Sequence, residues 1–167
     1  MLAWSLTENT APVALRYPRG GDRGNIVPAW NPDASVVQER AGKNIAILTY
    51  GVLTDNVLGA ADLLAERGII PGVFRMTQIE PIPVDALATQ LSAYKYVLIA
   101  EETCADAGIS DALIASLSRK LTECKFGKID LGKQYITHGA VNKLYAHYGL
   151  DADSIANYAQ EVLKVEN

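Results

Sequence analysis

Tyr96-Val97-Leu98-Ile99-Ala100-Glu101-Glu102 decides the fold. The apolar run has neither a helical nor an alternating period. It predicts a strand buried on both faces, as in a parallel sheet covered by helices. Two carboxylates follow where such a strand leaves the core, and a helical pattern opens a few residues later. The outer end of a buried strand beside a helix start is where α/β proteins commonly place a site.

Outward from this strand the pattern is orderly from Lys43 on. Asn44–Tyr50 reads as a strand ended by Gly51. Thr54 or Asp55 can cap a helix whose stripe is Val57, Leu58, Ala61, Leu64 and Ala65, with Gly68 closing it and Pro71 just beyond. Ile69–Met76 is the next strand, and Val84–Leu91 a short helix with Val84, Leu87 and Leu91 inside. After the central strand, residues 108–123 predict a helix with Ile109, Leu113, Leu117 and Leu121 on one face. Asp111 falls early and Arg119-Lys120 late, as the helix dipole favours. Lys125–Leu131 is a fourth strand. Ala140–Tyr148, stopped by Gly149, and Asp153–Val165, with Ile155, Tyr158, Ala159, Val162 and Leu163 inside, close the chain. Strands and helices alternating at this spacing imply an α/β fold with a mostly parallel (mixed) sheet and helices on both faces.

Upstream the pattern is poorer. Residues 1–9 read as a helix end and Pro12–Tyr17 as a strand; together they cannot bury themselves, so they are expected to be the tail of a preceding domain, residues 1–20. Residues 21–42, with Gly21, Gly24, Pro28, Pro32 and Gly42, read as a linker with one short strand at Ser35–Arg40. The main α/β domain is then expected at 43–167.

A chain of 167 residues holds one good core. Hydrophobic residues at 49% and charged ones at 20% fit a globular protein. A net charge of −4 argues against a nucleic-acid partner, which demands a basic face. No apolar run approaches the roughly 20 residues of a membrane helix, and the start of the chain lacks the n-region of a signal peptide. Cys104 and Cys124 have no metal-ligand spacing, which points to reduced thiols and a cytoplasmic setting.

Three groups of residues can carry chemistry. Arg16, Tyr17 and Arg19, followed by Gly20 and Gly21, offer guanidinium forks for a phosphate or carboxylate, or else a solvated basic turn. Glu101 and Glu102 can supply a general base, but the reading favoured by their position is that they cap the following helix. His138 can act as acid, base or donor at a helix start, where simple hydrogen bonding to that helix is the plainer role. His147 is expected at the surface or in a satisfied core. With two histidines and no cysteine pair, no metal site is expected. Neither a dinucleotide fingerprint nor a P-loop is present.

Ala11-Pro12-Val13-Ala14-Leu15-Arg16-Tyr17-Pro18-Arg19-Gly20 resembles the end of the pyrimidine-binding domain of the 1-deoxy-D-xylulose-5-phosphate synthases. Asn44–Gly51 resembles the opening of their C-terminal, transketolase-type domain. Ile99-Ala100-Glu101-Glu102, Ile136-Thr137-His138-Gly139 and Tyr148–Ile155 are similar to their late motifs. One departure stands out: Ala107-Gly108 occupies the place of a usual Gly-Gly pair. The resemblance implies a three-layer sandwich like the transketolase C-terminal domain. It also implies a parent enzyme, cytoplasmic and dimeric, that joins pyruvate to glyceraldehyde 3-phosphate on thiamine diphosphate and magnesium. Those cofactors would be held by preceding domains, none binding to this chain alone. Arg19 matches the substrate-phosphate arginine, with Arg16 and Tyr17 beside it. The chain itself would contribute support and dimer contacts, and would be inactive in isolation. Two other readings remain: a free-standing binding or assembly module using the strand-end loops, and one half of a split transketolase-type enzyme.

Overall fold

The chain separates into two units, residues 1–33 and 34–167. The computed structural model describes residues 2–7, 11–15, 31 and 33–164. In the first unit Leu2–Thr7 is a short helix, α1. Residues 12–15, expected to open a strand, lie in none; Arg16, Tyr17 and Arg19 fall outside the described residues.

The second unit runs β1 (Val36–Arg40), β2 (Ile45–Tyr50), α2 (Thr54–Glu66), β3 (Gly72–Met76), α3 (Val84–Leu91), β4 (Tyr96–Ala100), α4 (Ser110–Leu117), β5 (Lys125–Ile129), α5 (Val141–Tyr148) and α6 (Ala152–Lys164). The strands form one sheet in the order β1-β3-β2-β4-β5. β2, β3, β4 and β5 pair in parallel, and β1 is antiparallel to β3. β1 lies within the stretch expected to be linker, so the α/β unit opens at Ala34 and not at 43. An edge strand needs one buried face only. Val36 is buried, and Arg75 of β3 donates to Glu39 at 2.7 Å across the pair.

β4 is buried along its whole length and β2 at all but its last residue, because helices cover both faces. On one face Ile45, Ile47, Leu98 and Ala100 pack with Val57, Ala60 and Leu64 of α2, Tyr145 of α5 and Ile155 and Ala159 of α6. On the other Leu48, Phe74, Val97 and Ile99 pack with Leu87 and Leu91 of α3 and Leu113 and Leu117 of α4. Three layers result, as side-chain alternation along each strand requires.

Local details depart from expectation in several places: β5 ends at Ile129, two residues early, and Ala65, expected on the inward stripe of α2, is exposed. Thr54 lies inside α2, and its hydroxyl donates to the Gly51 carbonyl at 2.8 Å. β3 starts at Gly72, because Pro71 has no amide for a ladder and the ring of Tyr94 lies where a Gly72 side chain would be. α4 stops at Leu117, six residues short. There the Ser118 hydroxyl turns back to the Ile114 carbonyl at 2.5 Å, and the amides of Lys120 and Leu121 both meet the Leu117 carbonyl. Tyr158, expected inside α6, is exposed, while Ala156 is buried in its stead.

Leu98 sits at the centre of β4 with no exposed surface. Leu98→Ala should cost about 2–5 kcal/mol in urea unfolding, against under about 0.5 kcal/mol for the exposed Glu123→Ala. Equal losses would remove Leu98 from the core.

Candidate functional site

From β2 the chain crosses to β3 on one side, and then to β4 on the other. Such a reversal leaves a crevice at the carboxyl ends of the two central strands, where open α/β sheets bind ligands. Tyr50 is the last residue of β2, and Glu101 follows the last residue of β4. They meet across the crevice: the Tyr50 hydroxyl donates to Glu101 Oε2 at 2.9 Å.

Glu101 is 1% exposed. A carboxylate so placed is costly unless donors surround it. Oε2 also accepts from the Ile109 amide at 3.0 Å, and Oε1 from the Ser110 hydroxyl at 2.6 Å and the Ser110 amide at 3.4 Å. Those amides are the unsatisfied donors at the start of α4, where the helix dipole favours a negative charge. No side chain at the adjoining cap residue, Ile109, serves them. Glu101 therefore caps α4 from the neighbouring strand. Gly108 makes this possible: a side-chain carbon there would fall on the Glu101 carboxylate and the Thr103 hydroxyl.

Glu102 serves the other face. It is exposed at the surface, and its Oε2 accepts from the Tyr145 hydroxyl of α5 at 2.8 Å. The adjacent glutamates thus tie β4 to one helix in each outer layer.

Residues 34–155 match the family described as "Transketolase, C-terminal domain". The chain belongs to this family. Among curated relatives of this transketolase C-terminal domain, a 1-deoxy-D-xylulose-5-phosphate synthase of Clostridium tetani is 28% identical over 99% of the chain and 26% of its own length. That of Magnetococcus marinus is 32% identical over 91% of the chain and 25% of its own length. The chain thus spans about a quarter of the length of these relatives. A solved structure described as "Split gene transketolase, inactive beta4 tetramer" is 25% identical with a TM-score of 0.67, covering 84% of this chain and 48% of that one. A transketolase of Pichia stipitis, 14% identical with a TM-score of 0.53, shares the fold.

In this transketolase C-terminal domain His138 is exposed, with no hydrogen bond to either glutamate. Nor does it cap α5, whose cap residue is Ala140 with no side-chain bond. His147 packs edge-on against Tyr148 at 4.8 Å. Cys104 is exposed and Cys124 half-buried, both free, with burial pushing the Cys124 thiol up to about 11. Among the described residues no cluster of His, Cys, Asp or Glu can hold a metal ion. Tyr50, Ser110 and Tyr145 were not singled out by the sequence. Tyr50 stands 51 residues from Glu101, and only the strand order joins them.

Ala107 is exposed, so the departure from the Gly-Gly pair falls on the residue facing solvent and spares the one packed on Glu101. Gly108→Ala should lower stability by about 1–3 kcal/mol, the usual cost of overpacking, while Ala107→Gly stays within about 1 kcal/mol; urea unfolding of both variants checks this. Burial and then the Glu101 charge hold the Tyr50 phenol well above its ordinary value. The neutral phenol is thus favoured by folding, a contribution that is present below about pH 10 and lost as pH rises beyond it. Tyr50→Phe should cost about 1.5–3 kcal/mol at neutral pH and flatten the fall in thermal midpoint above pH 10. An unchanged alkaline slope would remove Tyr50 as its source.

Proposed function

We propose that this chain is the C-terminal part of a thiamine-diphosphate-dependent 1-deoxy-D-xylulose-5-phosphate synthase, which joins pyruvate to glyceraldehyde 3-phosphate for isoprenoid precursors. One observation carries the reading. The Clostridium tetani synthase matches along 99% of the chain, including residues ahead of position 34 where the family domain opens. That leading stretch holds Arg16, Tyr17 and Arg19.

In this reading Arg19 holds the phosphate of glyceraldehyde 3-phosphate, with Arg16 and Tyr17 at its side. The α/β unit supports the preceding domains and a homodimer in the cytoplasm. Thiamine diphosphate and magnesium belong to those preceding domains. The described residues do not fit either group: the central crevice is filled by Tyr50 and Glu101, and both Glu101 oxygens already accept hydrogen bonds. Glu101 and Glu102 act structurally, and the chain alone is inactive.

A second reading, one part of a split transketolase-type enzyme, is supported by the likeness to the split-gene structure. It differs in requiring a separate polypeptide for the other domains.

Joined to the preceding domains, Arg19→Ala should raise KM for glyceraldehyde 3-phosphate at least about tenfold. A charge-assisted hydrogen bond is worth about 1.5–3 kcal/mol, and about 1.4 kcal/mol is tenfold. KM for pyruvate should barely move. Equal effects on both substrates would sink the phosphate assignment.

A further inference from the structure

Three of the four parallel strands begin at a lysine. Lys43 stands two residues ahead of β2, Lys95 one residue ahead of β4, and Lys125 opens β5. Their backbones are tied in a row. The Lys43 amide donates to the Ile70 carbonyl at 2.8 Å, the Lys95 amide to that of Asn44 at 2.8 Å, and the Lys125 amide to that of Lys95 at 2.9 Å. Neighbouring strands lie about 4.8 Å apart, so the three lysines share one short stretch of the amino edge. All are exposed, as are Arg119 and Lys120 just past the end of α4. This gathering of positive charge belongs to a chain whose net charge is −4. Helix dipoles do not account for it: α2, α3 and α4 have no basic residue in the last turn, where a cation is favoured.

A groove of about 290 Å³ opens at the same edge. One wall is the turn from α3 into β4, residues 92–95, and the other is the turn from α4 into β5, residues 120–124. Lys95 belongs to the first wall and Lys120 to the second. Tyr94 is a fixed part of the lining, its ring set edge-on against Phe74 at 5.5 Å. Lys120 pairs with Asp85 at 2.9 Å, an exposed pair that an incoming anion can displace. Glu123 is the one carboxylate among the described residues that line the groove.

We infer that this groove binds a small anion carrying a diphosphate group, held by the ammonium groups of Lys95 and Lys120. Two cations on opposite walls suit a ligand with charge at both ends, and charge-assisted hydrogen bonds to phosphate oxygens are among the strong ones. The volume is at the low end for small-molecule sites, as so compact a ligand requires. Lys43 and Lys125 raise the local potential and draw anions to the edge. Every residue involved belongs to the α/β unit, so the site needs no other domain.

The test is a titration of the isotope-labelled 167-residue chain, followed by amide NMR shifts, with inorganic pyrophosphate, inorganic phosphate and sodium chloride at matched ionic strength. Pyrophosphate should give saturable shifts at 92–95 and 120–125. Its half-saturation should lie at least about tenfold below that of phosphate, the worth of one added charge-assisted bond. Equal response to the two marks an adventitious ion only and overturns the inference, as do shifts that sodium chloride reproduces. Lys95→Gln should raise the pyrophosphate half-saturation at least about tenfold, with its thermal midpoint unchanged because the side chain is exposed. Lys95→Arg should retain binding, and Glu123→Gln should tighten it. Lys143→Gln, on α5 in the layer across the sheet, should change nothing. A Lys95→Gln chain that binds like the wild type sinks the site. Equal weakening by Lys143→Gln reduces the effect to net charge and sinks it too.

Discussion

A buried carboxylate with four donors organises this domain. Glu101 sits at the end of the central strand, and its two oxygens collect Tyr50 from β2 and Ile109 and Ser110 from the start of α4. Leaving a buried charge unpaired is far costlier than a single good hydrogen bond is favourable. Each donor is therefore constrained by the others. Gly108 must stay small so that the helix can close on the carboxylate, Ser110 must open α4, and β2 and β4 must keep their register for Tyr50 to reach. The carboxylate itself stays where the helix dipole favours a negative charge. One acidic residue thus links the packing of the sheet to the placement of an outer helix.

What the sequence revealed follows from how local each signal is. β2, β4, β5 and α3 were legible because each carries its burial pattern in its own residues. β4 is a run apolar on both faces, and α3 a short stripe ended by its neighbours. The capping role of Glu101 was legible as well, because carboxylate and helix start lie within nine residues. β1 was half hidden. A strand with one buried face, set among glycines and prolines, looks like part of a linker until its partner is known. The end of α4 was misjudged because Leu121 continues the helical period, while the Ser118 hydroxyl diverts the backbone before it. Tyr50 and Tyr145 were invisible for a different reason: their bonds to the glutamates span 51 and 43 residues. Only the strand order and the layer assignment bring them together.

The glutamate pair shows how one motif can carry two structural tasks. Adjacent residues leaving a strand point to opposite faces, so Glu101 meets the α4 layer and Glu102 the α5 layer. A general base needs a free lone pair directed at a substrate. Glu101 has spent its oxygens on protein donors, and Glu102 holds a tyrosine that packs in the core with α2 and α6. His138, the other acid–base candidate, stands exposed without a bond to either glutamate. The chemistry-bearing residue types at this strand edge are thus either committed to the fold or unassembled.

The same edge has an outer part of different character. Beyond the Tyr50–Glu101 bond, the segment after β5 is held to the segment after β4 by Leu131 donating to Thr103 and Ala105 to Gly132. Ion pairs from Lys128 to Asp111 and from Lys133 to Asp106 flank them. Exposed pairs of this kind contribute little stability, but they fix where the following loop begins. That loop then presents Tyr135 to solvent, and α5 opens on the exposed Val141. The buried carboxylate thus has an indirect part as well: it fixes the strand ends and the helix start from which these loops leave.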